Sequence, residues 1–489
     1  MNWQVPLPPW PLETVRALAA ARGVRCWPVG GAVRDALLGH PIHDWDFAVE
    51  DDARGLARAA ANALGGDYFP LDNERDVGRA ILQPDGRRLE LDFTRLRGPD
   101  LETDLRLRDL TINAMAAGPD GELIDPTGGL ADLQARLVRA VGPQSFDDDP
   151  LRMLRAVRLA AELDMRLEAK TAAWIIERSA TLARSSAERI RDEFVRLLAA
   201  PAVADHLYIL DGLTLLTQVI PEIEPLKEQR QTLPHRYDVW WHTLQVVDAA
   251  EALSEVLMGQ RPRPLYVDAP EQAWDDLAAA LGHLAAPVAA HLAAGARRTL
   301  LRLAALAHDL GKPITCTEDE QGQLHFYTHE RVGAEMIAAR LHALRFSRAD
   351  AERVETMVAA HMRPAHLAQA GQPVTRRAVY HFFRDLGSAG VEVVLLAVVD
   401  HLGVWGPNLQ PQRWESLLET ARTLLGHYFE QPAEAVAPPP LLTGKDLIQE
   451  LGLRPGPRIG RLLEALREAQ AAGEVHTRDE ALALARSLV

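Results

Sequence analysis

The sequence has little cysteine, few aromatic residues and no excess of positive charge, and each shortage excludes a class of protein. Its two cysteines, Cys26 and Cys316, cannot form a disulfide framework, which favours a reducing, cytoplasmic setting. The net charge of −15 argues against broad, non-specific binding of phosphate backbones. Only 6% of the residues are aromatic, while alanine, leucine and arginine are abundant, which favours helix over sheet.

Long apolar segments are also lacking. The apolar runs are short and interrupted, so we expect no membrane-spanning segment. Residues 1–18 carry proline and tryptophan where a signal peptide has a basic and then an apolar stretch, so no signal peptide is expected. A chain of 489 residues is long enough for about two to four domains with separate cores.

The stretch Pro28–Glu50 carries the clearest chemical signal. Gly30 and Gly31 follow a short apolar strand, and the lack of a Cβ allows a phosphate to approach the backbone closely. Arg34 lies one turn into the helix that follows, where its guanidinium can face the same phosphate as a fork of donors. The pattern therefore indicates a phosphate-binding turn.

Strand periodicity follows this turn. In Asp44–Val49 charged and apolar residues alternate, which places Asp44 and Asp46 on one face of a strand. Two adjacent carboxylates bind Mg²⁺ well, together with the phosphates of a substrate. A solvated strand edge with two surface aspartates is the alternative, but the glycines and the arginine upstream favour a nucleotidyltransferase metal site.

These residues resemble the first motif of the CCA-adding tRNA nucleotidyltransferases and the bacterial poly(A) polymerases. The motif runs Gly-Gly, a spacer, Val-Arg-Asp, Leu-Leu-Gly and Asp-x-Asp, and every position is present. The resemblance implies an α+β chain in which a small mixed-sheet head precedes an all-helical neck and body. It implies Mg²⁺ at Asp44 and Asp46, with Asp92 as the third carboxylate. Glu90 faces the same way by periodicity, so the choice of Asp92 rests on the resemblance.

The stretch Arg108–Met115 is similar to the family's Arg-Arg-Asp-Phe-Thr-Ile-Asn-Ala, with Leu107 in place of the first arginine. The resemblance implies that Arg108 binds the triphosphate and that Asp109 contacts the nucleotide or supports that contact. Asn113 is expected to reach the ribose. Asp109 and Asn113 can also simply cap the helix that begins here.

A helix begins near residue 150, and Arg152, Arg155 and Arg158 recur on one face of it. A solvated arginine face is the plain interpretation. The family's Glu-Asp-x-x-Arg motif falls on Asp148, Asp149 and Arg152, which makes the three arginines candidates for nucleotide binding. Asp149 and Arg152 would pair with the amino donor and ring-nitrogen acceptor that cytosine and adenine share. Uracil and guanine present the reverse pattern and would be rejected.

The segment between Arg97 and Arg108 is short. Full CCA-adding enzymes carry a longer mobile segment here, and relatives that add only two cytidines resemble the shorter form. The resemblance therefore predicts addition of CC to the 3′ end of tRNA from CTP, with a separate A-adding enzyme completing the end. Three alternatives stay open: a complete CCA-adding enzyme that uses CTP and ATP, a poly(A) polymerase, and a phosphohydrolase whose head is only an RNA-binding scaffold.

A second site is predicted in the following part of the chain. Histidines recur on apolar helical segments, one of them directly before an aspartate, and a further aspartate closes the set. Imidazole and carboxylate ligands in a helical bundle suit divalent metals. The pattern resembles an HD phosphohydrolase domain, which implies a transition metal such as Ni, Mn, Fe or Co. The implied ligands are His242, His308, Asp309, His329, His361 and Asp400.

The predicted domains are a head over residues 1–140, a helical neck and body over 141–228, an HD domain over 229–430, and a linker with a helical tail over 431–489. In the head, we expect helices at Leu12–Arg22 and Ala53–Leu64 and strands at Gly78–Leu82 and Arg88–Thr94. Thr443 is expected to cap the first helix of the tail.

Overall fold

The structure is a computed structural model that describes residues 3–489, so Met1 and Asn2 of the predicted head lie outside it. The described chain divides into two compact units. The first contains the residues up to Glu193 together with Gly212–Gln218. The second contains Phe194–Asp211 and Val219–Val489. The predicted α+β architecture, a mixed-sheet head followed by helical parts, is confirmed.

The first unit is built on a mixed sheet. The strands of this unit are β1 Cys26–Val29, β2 Asp44–Val49, β3 Asp67–Asp72, β4 Val77–Leu82, β5 Leu89–Arg95, β6 Ala116–Ala117, β7 Leu123–Ile124, β8 Leu137–Val138 and β9 Arg166–Leu167. The main sheet has the order β3-β4-β5-β2-β1-β6-β7, and β8 pairs with β9 apart from it. Strands β2 and β5 are parallel neighbours at the centre.

The central strands separate an apolar face from a polar one. In β2 the rings of Trp45 and Phe47 point into the core, and Phe47 stacks on Phe93 of β5 with 4.9 Å between ring centroids. Burial of each such side chain stabilises the fold by roughly 1.5–3 kcal/mol. The alternate residues Asp44 and Asp46 therefore lie on the opposite face.

Short helices connect or follow the strands of this part of the chain, and the last of them continues into the second unit. They are α1 Pro9–Arg22, α2 Gly31–Leu38, α3 Ala53–Leu64, α4 Leu101–Arg106, α5 Gly129–Gln134, α6 Gln144–Asp148, α7 Arg152–Glu162, α8 Ala169–Arg178 and α9 Ala187–Ala199. The helices expected within α1 and at α3 are confirmed. Asp52 caps α3 by accepting a hydrogen bond from the backbone of Gly55, and the small buried alanines of α3 allow it to lie close to the strands.

The rest of the chain is almost entirely helical. Its helices are α10 Val203–Gly212, α11 Leu216–Val219, α12 Val239–Leu257, α13 Glu271–Leu281, α14 Ala285–Ala293, α15 Arg297–Ala307, α16 Lys312–Thr315, α17 His329–Ala343, α18 Arg348–Ala360, α19 Arg363–Gln369, α20 Arg376–Leu386, α21 Ala389–Trp405, α22 Pro411–Glu430, α23 Gly444–Leu451, α24 Pro457–Ala472 and α25 Arg478–Ser487. Two short strands, β10 Thr317–Glu318 and β11 Leu324–His325, form a hairpin.

Helices α12, α15, α18 and α21 pack together in the core of the second unit. Length and hydropathy alone would allow two stretches, Glu271–Ala293 and Ala389–Asn408, to cross a membrane. This is weak evidence, because the core helices of globular proteins share both properties. The second stretch is largely buried inside the protein and carries the buried Glu392, as expected of a core helix.

The tail packs on α20 through ion pairs. Thr443 and Asp446 form a capping box at the start of α23, so the predicted cap is confirmed. Arg377 of α20 pairs with Glu468 of α24 at 3.0 Å and with Glu474 just beyond it at 2.9 Å. The tail therefore forms part of the second unit.

Candidate active site and metal centre

Four carboxylates lie together on the polar face of the central strands. The parallel register of β2 and β5 places Asp46 opposite Asp92, and Asp44 opposite Glu90. Neighbouring strands lie about 4.8 Å apart, so these side chains share one small area of the sheet. Both the residue preferred from the resemblance, Asp92, and its alternative, Glu90, therefore lie beside the two aspartates.

The turn before α2 closes one side of this cluster. Gly30 has φ 69°, and a Cβ placed there would lie 3.0 Å from Oδ2 of Asp46 and 3.4 Å from Nη1 of Arg108. Burial raises the pKa of Asp46, and the charges of Asp92 and Asp44 raise it further, while Arg108 opposes the shift. Crowded carboxylate oxygens beside a space that a Cβ would fill suit a divalent cation such as Mg²⁺.

Arg79 of β4 binds the third carboxylate, and the sequence analysis did not identify it. Its Nε donates to Oδ1 of Asp92 at 2.6 Å and its Nη2 donates to Oδ2 at 2.8 Å. Its Nη1 also pairs with Glu90. The antiparallel register of β4 and β5 places Arg79 directly opposite Asp92. Arg79 is the one charged residue in the apolar sequence of β4, and this pattern could have indicated that its side chain faces the carboxylates.

Helix α4 is tied to the site by a buried carboxylate. Asp104 is only 2% exposed and accepts hydrogen bonds from the backbone N and the Nε of Arg97, at 3.1 and 3.2 Å, and from Nε of Arg108 at 3.1 Å. Burial opposes ionisation, but the charges of Arg108 and Arg97 outweigh it and hold the pKa of Asp104 below its usual value. This contact, also missed from the sequence, connects the short segment to the predicted triphosphate arginine.

A second ion network supports the floor of the site. Asp109 is buried and accepts hydrogen bonds from the backbone N of Leu110 at 2.8 Å and from Nδ2 of Asn113 at 3.3 Å. It also pairs with Nη1 of Arg155 at 3.4 Å. Burial would raise its pKa, but Arg155 and then Arg152 hold the pKa of Asp109 below its usual value. Asp109 therefore takes part both in hydrogen bonds within its own turn and in an ion pair with Arg155.

The remaining predicted nucleotide ligands have several protein partners. Arg34 donates from Nη1 to Oδ1 of Asn113 at 2.7 Å. Arg155 and Arg158 both pair with Glu193 of α9, at 3.3 and 2.6 Å. Arg158 is 4% exposed, so its side chain lies in the interior and not on an open surface. A nucleotide contact for Arg158 stays a prediction.

A cavity of about 1080 Å³ extends from Asp46, one member of the carboxylate cluster, to the start of α7. Asp46, Arg108, Asp149 and Arg152 are among its lining residues. Within it, Asp149 pairs with Arg189 of α9 at 2.7 Å, while Nη1 of Arg152 donates to the carbonyl of Ser145 at 3.2 Å. The lining also contains Asp104 and residues 94–99, and it does not include Gly30, Gly31 or Arg34.

The second unit contains the predicted histidine and aspartate cluster. Nε2 of His242 lies 3.2 Å from Nε2 of His308 and 3.1 Å from Oδ1 of Asp400. Oδ2 of Asp309 lies 3.2 Å from Nε2 of His308, and its Oδ1 lies 3.4 Å from Nε2 of His329. Asp309 therefore belongs to two adjoining groups of possible ligands, the second of which contains His329 and His361.

The histidine tautomers suit metal binding. Nδ1 of His308, of His329 and of His361 each donates to a backbone carbonyl three residues earlier, at 2.8, 2.7 and 2.7 Å. Each Nε2 is thus directed into the cluster, as in proteins where the second ring nitrogen of a ligand is fixed by a carbonyl. Burial lowers the pKa of His361 to about 4, and the charges of His308 and His329 lower it too. The donor set fits a transition metal.

Four family models match parts of the chain. They are described as "Poly A polymerase head domain" over residues 26–139, "Probable RNA and SrmB- binding site of polymerase A" over 164–227, "HD domain" over 277–409, and tRNA nucleotidyltransferase domain 2 over 410–485. His242, predicted as an HD ligand, precedes the residues matched by the HD model. The predicted domain boundaries stay predictions.

Several relatives match nearly the whole chain. An A-adding tRNA nucleotidyltransferase of Deinococcus radiodurans is 37% identical over 463 residues, covering 93% of either chain. A CC-adding tRNA nucleotidyltransferase of Thermus thermophilus is 35% identical over 463 residues, covering 94% of this chain and 92% of the relative.

The fold agrees with these matches. The structure of the Thermotoga maritima CCA-adding enzyme complexed with tRNA aligns with a TM-score of 0.60 over 100% of both chains. Its identity is only 20%, so this likeness concerns the fold alone. The resemblance drawn from the motifs is confirmed by the relatives. From the identity and length of those matches, the chain belongs to the tRNA nucleotidyltransferases, enzymes that transfer nucleotides to tRNA.

Proposed function

We propose that this tRNA nucleotidyltransferase adds two cytidines from CTP to the 3′ end of tRNA and then stops. The observation that carries the proposal is the short segment between Arg97 and Arg108, which folds into α4. Asp104 ties this segment to both arginines, so little free chain is left to rearrange the site for a larger purine.

A second candidate is the addition of the terminal adenosine. The relative named as A-adding is 37% identical to this chain, while the one named as CC-adding is 35% identical. Adenine offers the same amino donor and ring-nitrogen acceptor as cytosine, so the proposed base-reading pair is compatible with either nucleotide. A poly(A) polymerase is disfavoured, because the chain is acidic overall and matches the tRNA enzymes over nearly its full length.

In the proposed mechanism Asp44 and Asp46 would hold Mg²⁺ on the face of β2, and Asp92 would orient the 3′-hydroxyl of the tRNA or bind the metal. Bound Mg²⁺ would activate that hydroxyl and neutralise the departing pyrophosphate. Arg108, which lines the cavity and is oriented by Asp104, binds the triphosphate. Asp109 holds Arg155 close to the proposed triphosphate site through their ion pair.

Asp149 and Arg152 select the base in this proposal. Both line the cavity, and Asp149 is paired with Arg189. The carboxylate would accept from the exocyclic amino group, while Arg152 donates to the ring nitrogen. Arg152→Ala should therefore weaken discrimination of CTP against UTP, by roughly 1–3 kcal/mol for the lost donor–acceptor pair. An equal loss for all nucleotides would make Arg152 a phosphate or structural contact.

Nucleotide addition to defined tRNA ends tests the proposal. A tRNA that ends at the base before CCA, one ending in C and one ending in CC are each incubated with labelled CTP or ATP. The proposal expects cytidine on the first two and no ATP incorporation on the third. Efficient ATP addition to the CC end would favour the second candidate or full CCA addition. Asp44→Ala should abolish addition, and Asp51→Ala, on an exposed acidic residue nearby, is the matched control.

We further propose that the second unit is a metal-dependent phosphohydrolase whose activity is separate from that of the head. The directed Nε2 atoms around Asp309 support it. Lys312, whose Nζ lies 2.6 Å from Oδ2 of Asp309, is placed to contact a phosphate. Full-length protein with Asp44→Ala, loaded with Ni, Mn, Fe or Co, is assayed against a phosphomonoester and a 2′,3′-cyclic phosphate.

Elemental analysis accompanies this assay. His308→Ala should lose bound metal and hydrolysis together, whereas His325→Ala, on the β10–β11 hairpin, should retain both. Absence of metal after loading would make the bundle a scaffold without this activity.

We propose a cytoplasmic protein whose partners are tRNA, CTP and, in the same cell, an enzyme that adds the final adenosine.

A further inference from the structure

Arg79 is the cation that contacts the third carboxylate of the head. Its guanidinium forms both hydrogen bonds of a parallel fork with Asp92, at 2.6 and 2.8 Å, and extends to Glu90 on the same face. The Arg79 side chain is 28% exposed and that of Asp92 is 26% exposed, so the pair lies at the edge of the site. A pair this well aligned restricts Asp92 to one orientation.

We propose that Arg79 is a positioning residue that fixes Asp92 for the transfer step and limits how tightly the carboxylate cluster binds its metal. The proposal rests on metal-dependent transfer at Asp44 and Asp46, and it holds whether the added nucleotide is cytidine or adenosine.

The fixed orientation of Asp92 follows from the geometry of its two hydrogen bonds with Arg79. Each oxygen of a carboxylate has two acceptor positions, and the bidentate arginine occupies one on each oxygen. One acceptor position on each oxygen is not used by the fork, and Asp46 lies opposite Asp92 in the register of β2 and β5. Asp92 can therefore accept from a hydroxyl or contact a metal while Arg79 still prevents rotation of its carboxylate. A reacting group held in one orientation reacts faster than one that rotates freely.

The limit on metal binding follows from the positive charge of Arg79. Four carboxylates, those of Asp44, Asp46, Glu90 and Asp92, share the polar face of β2 and β5. A permanent positive charge among them offsets part of their attraction for a divalent cation. Arg79 stays charged, because a guanidinium is not deprotonated in proteins. Removing it should therefore tighten metal binding, an effect opposite to that of simple damage to the site.

Arg88 provides a matched control. Arg88 also contacts Glu90, to which its Nε donates at 2.8 Å, but within residues 3–489 no hydrogen bond or ion pair joins it to Asp92. Its side chain is 63% exposed. Arg88→Ala removes the same charge from the same neighbourhood without touching the fork, so it separates loss of the fork from loss of a surface cation.

The experiment measures Mn²⁺ binding by electron paramagnetic resonance on the full chain, together with the kinetics of nucleotide addition. The sites lost in Asp44→Ala define binding at the head, which separates it from binding at the histidine cluster. Arg79→Ala should lower the head dissociation constant roughly threefold or more, because a nearby unit charge is removed. It should also lower kcat about tenfold or more, because Asp92 loses both bonds. Arg79→Lys should keep the metal affinity near that of the parent and recover only part of kcat.

Several outcomes would overturn the proposal. Weaker Mn²⁺ binding in Arg79→Ala would show that the residue only supports the fold, and an unchanged kcat would show that Asp92 does not need the fork. A change in Arg88→Ala as large as that in Arg79→Ala would refute the specific role. If Arg79→Ala does not fold, Arg79→Gln gives the same readings with a neutral polar side chain. Absence of any nucleotide addition by the parent would refute the proposed function, while the Mn²⁺ measurement would still test the charge effect.

Discussion

Replacing Asp104 by asparagine should destabilise the first unit and weaken nucleotide binding at the same time. The change keeps the shape of a 2% exposed side chain but removes the charge shared by Arg97 and Arg108. Hydrogen bonds to charged groups contribute roughly 1.5–3 kcal/mol each, and breaking a fully buried pair costs roughly 3–5 kcal/mol. The Arg97 side chain is 38% exposed and can be rehydrated, so we expect a loss of about 2–3 kcal/mol.

This loss has a thermal and a kinetic signature. For a unit of about 200 residues it lowers the melting temperature by roughly 4–12 °C, measurable by differential scanning calorimetry. Arg108 also loses its orienting partner, so KM for the nucleotide should rise about tenfold, equivalent to about 1.4 kcal/mol. Glu102→Gln on the same helix is the control, because Glu102 is 63% exposed and pairs with Arg106 at the surface. Equal melting temperatures and equal KM values for the two variants would refute the reasoning.

The contribution of Asp104 to stability should decrease as the pH falls. The pKa of Asp104 is lower in the folded protein than its usual value, so its contribution is complete above the unfolded pKa of about 3.9 and disappears as the pH falls through the folded pKa. The difference in melting temperature between the parent and Asp104→Asn should therefore shrink below about pH 4. A difference that grows as the pH falls would contradict this account.

Three other predictions concern separate parts of the chain. Glu193→Gln should lower the free energy of unfolding by roughly 2–4 kcal/mol, because Glu193 is buried between Arg155 and Arg158; a loss below 0.5 kcal/mol in urea denaturation would contradict this. Thr443→Ala should cost about 0.5–2 kcal/mol by removing the capping box of α23, seen as faster hydrogen exchange in that helix; unchanged exchange would count against it. Burial raises the pKa of Cys26 to about 12, so the folded protein should not be alkylated there by iodoacetamide at pH 8, as peptide mass spectrometry would show; labelling at Cys26 would refute it.

Local patterns in the sequence predicted the elements that carry the metal cluster. Alternation in β2, β4 and β5 and the glycine that ends α3 are signals contained in a few neighbouring residues. Strand β3 was not predicted, because Pro70 interrupts it and much of it is exposed, as on the edge of a sheet. Its pairing with β4 depends on the rest of the fold.

The contacts that orient the site could not be predicted in the same way. Asp92 and Arg79 are partners only because two strands pair in one register. Asp149 lies in the connection between α6 and α7, and its partner Arg189 lies 40 positions further on, in α9. Arg158 lies on the same predicted face as Arg152, but α9 brings Glu193 against it and makes it an interior ion pair. Sequence periodicity identifies a face, whereas the residue that packs against that face comes from elsewhere in the chain.

The shared register of β4, β5 and β2 has a consequence for insertions and deletions. Arg79, Asp92 and Asp46 form one row across three strands, and the side chains on either side of each point into the core. Adding or removing one residue within β2 would exchange its two faces, turning Trp45 and Phe47 to the solvent and the carboxylates inward. Changes of length should be tolerated only in the connections, such as residues 73–76 and 83–88. A library of single-residue insertions across 44–95 would therefore show inactive blocks at the strands, separated by permissive gaps at these loops.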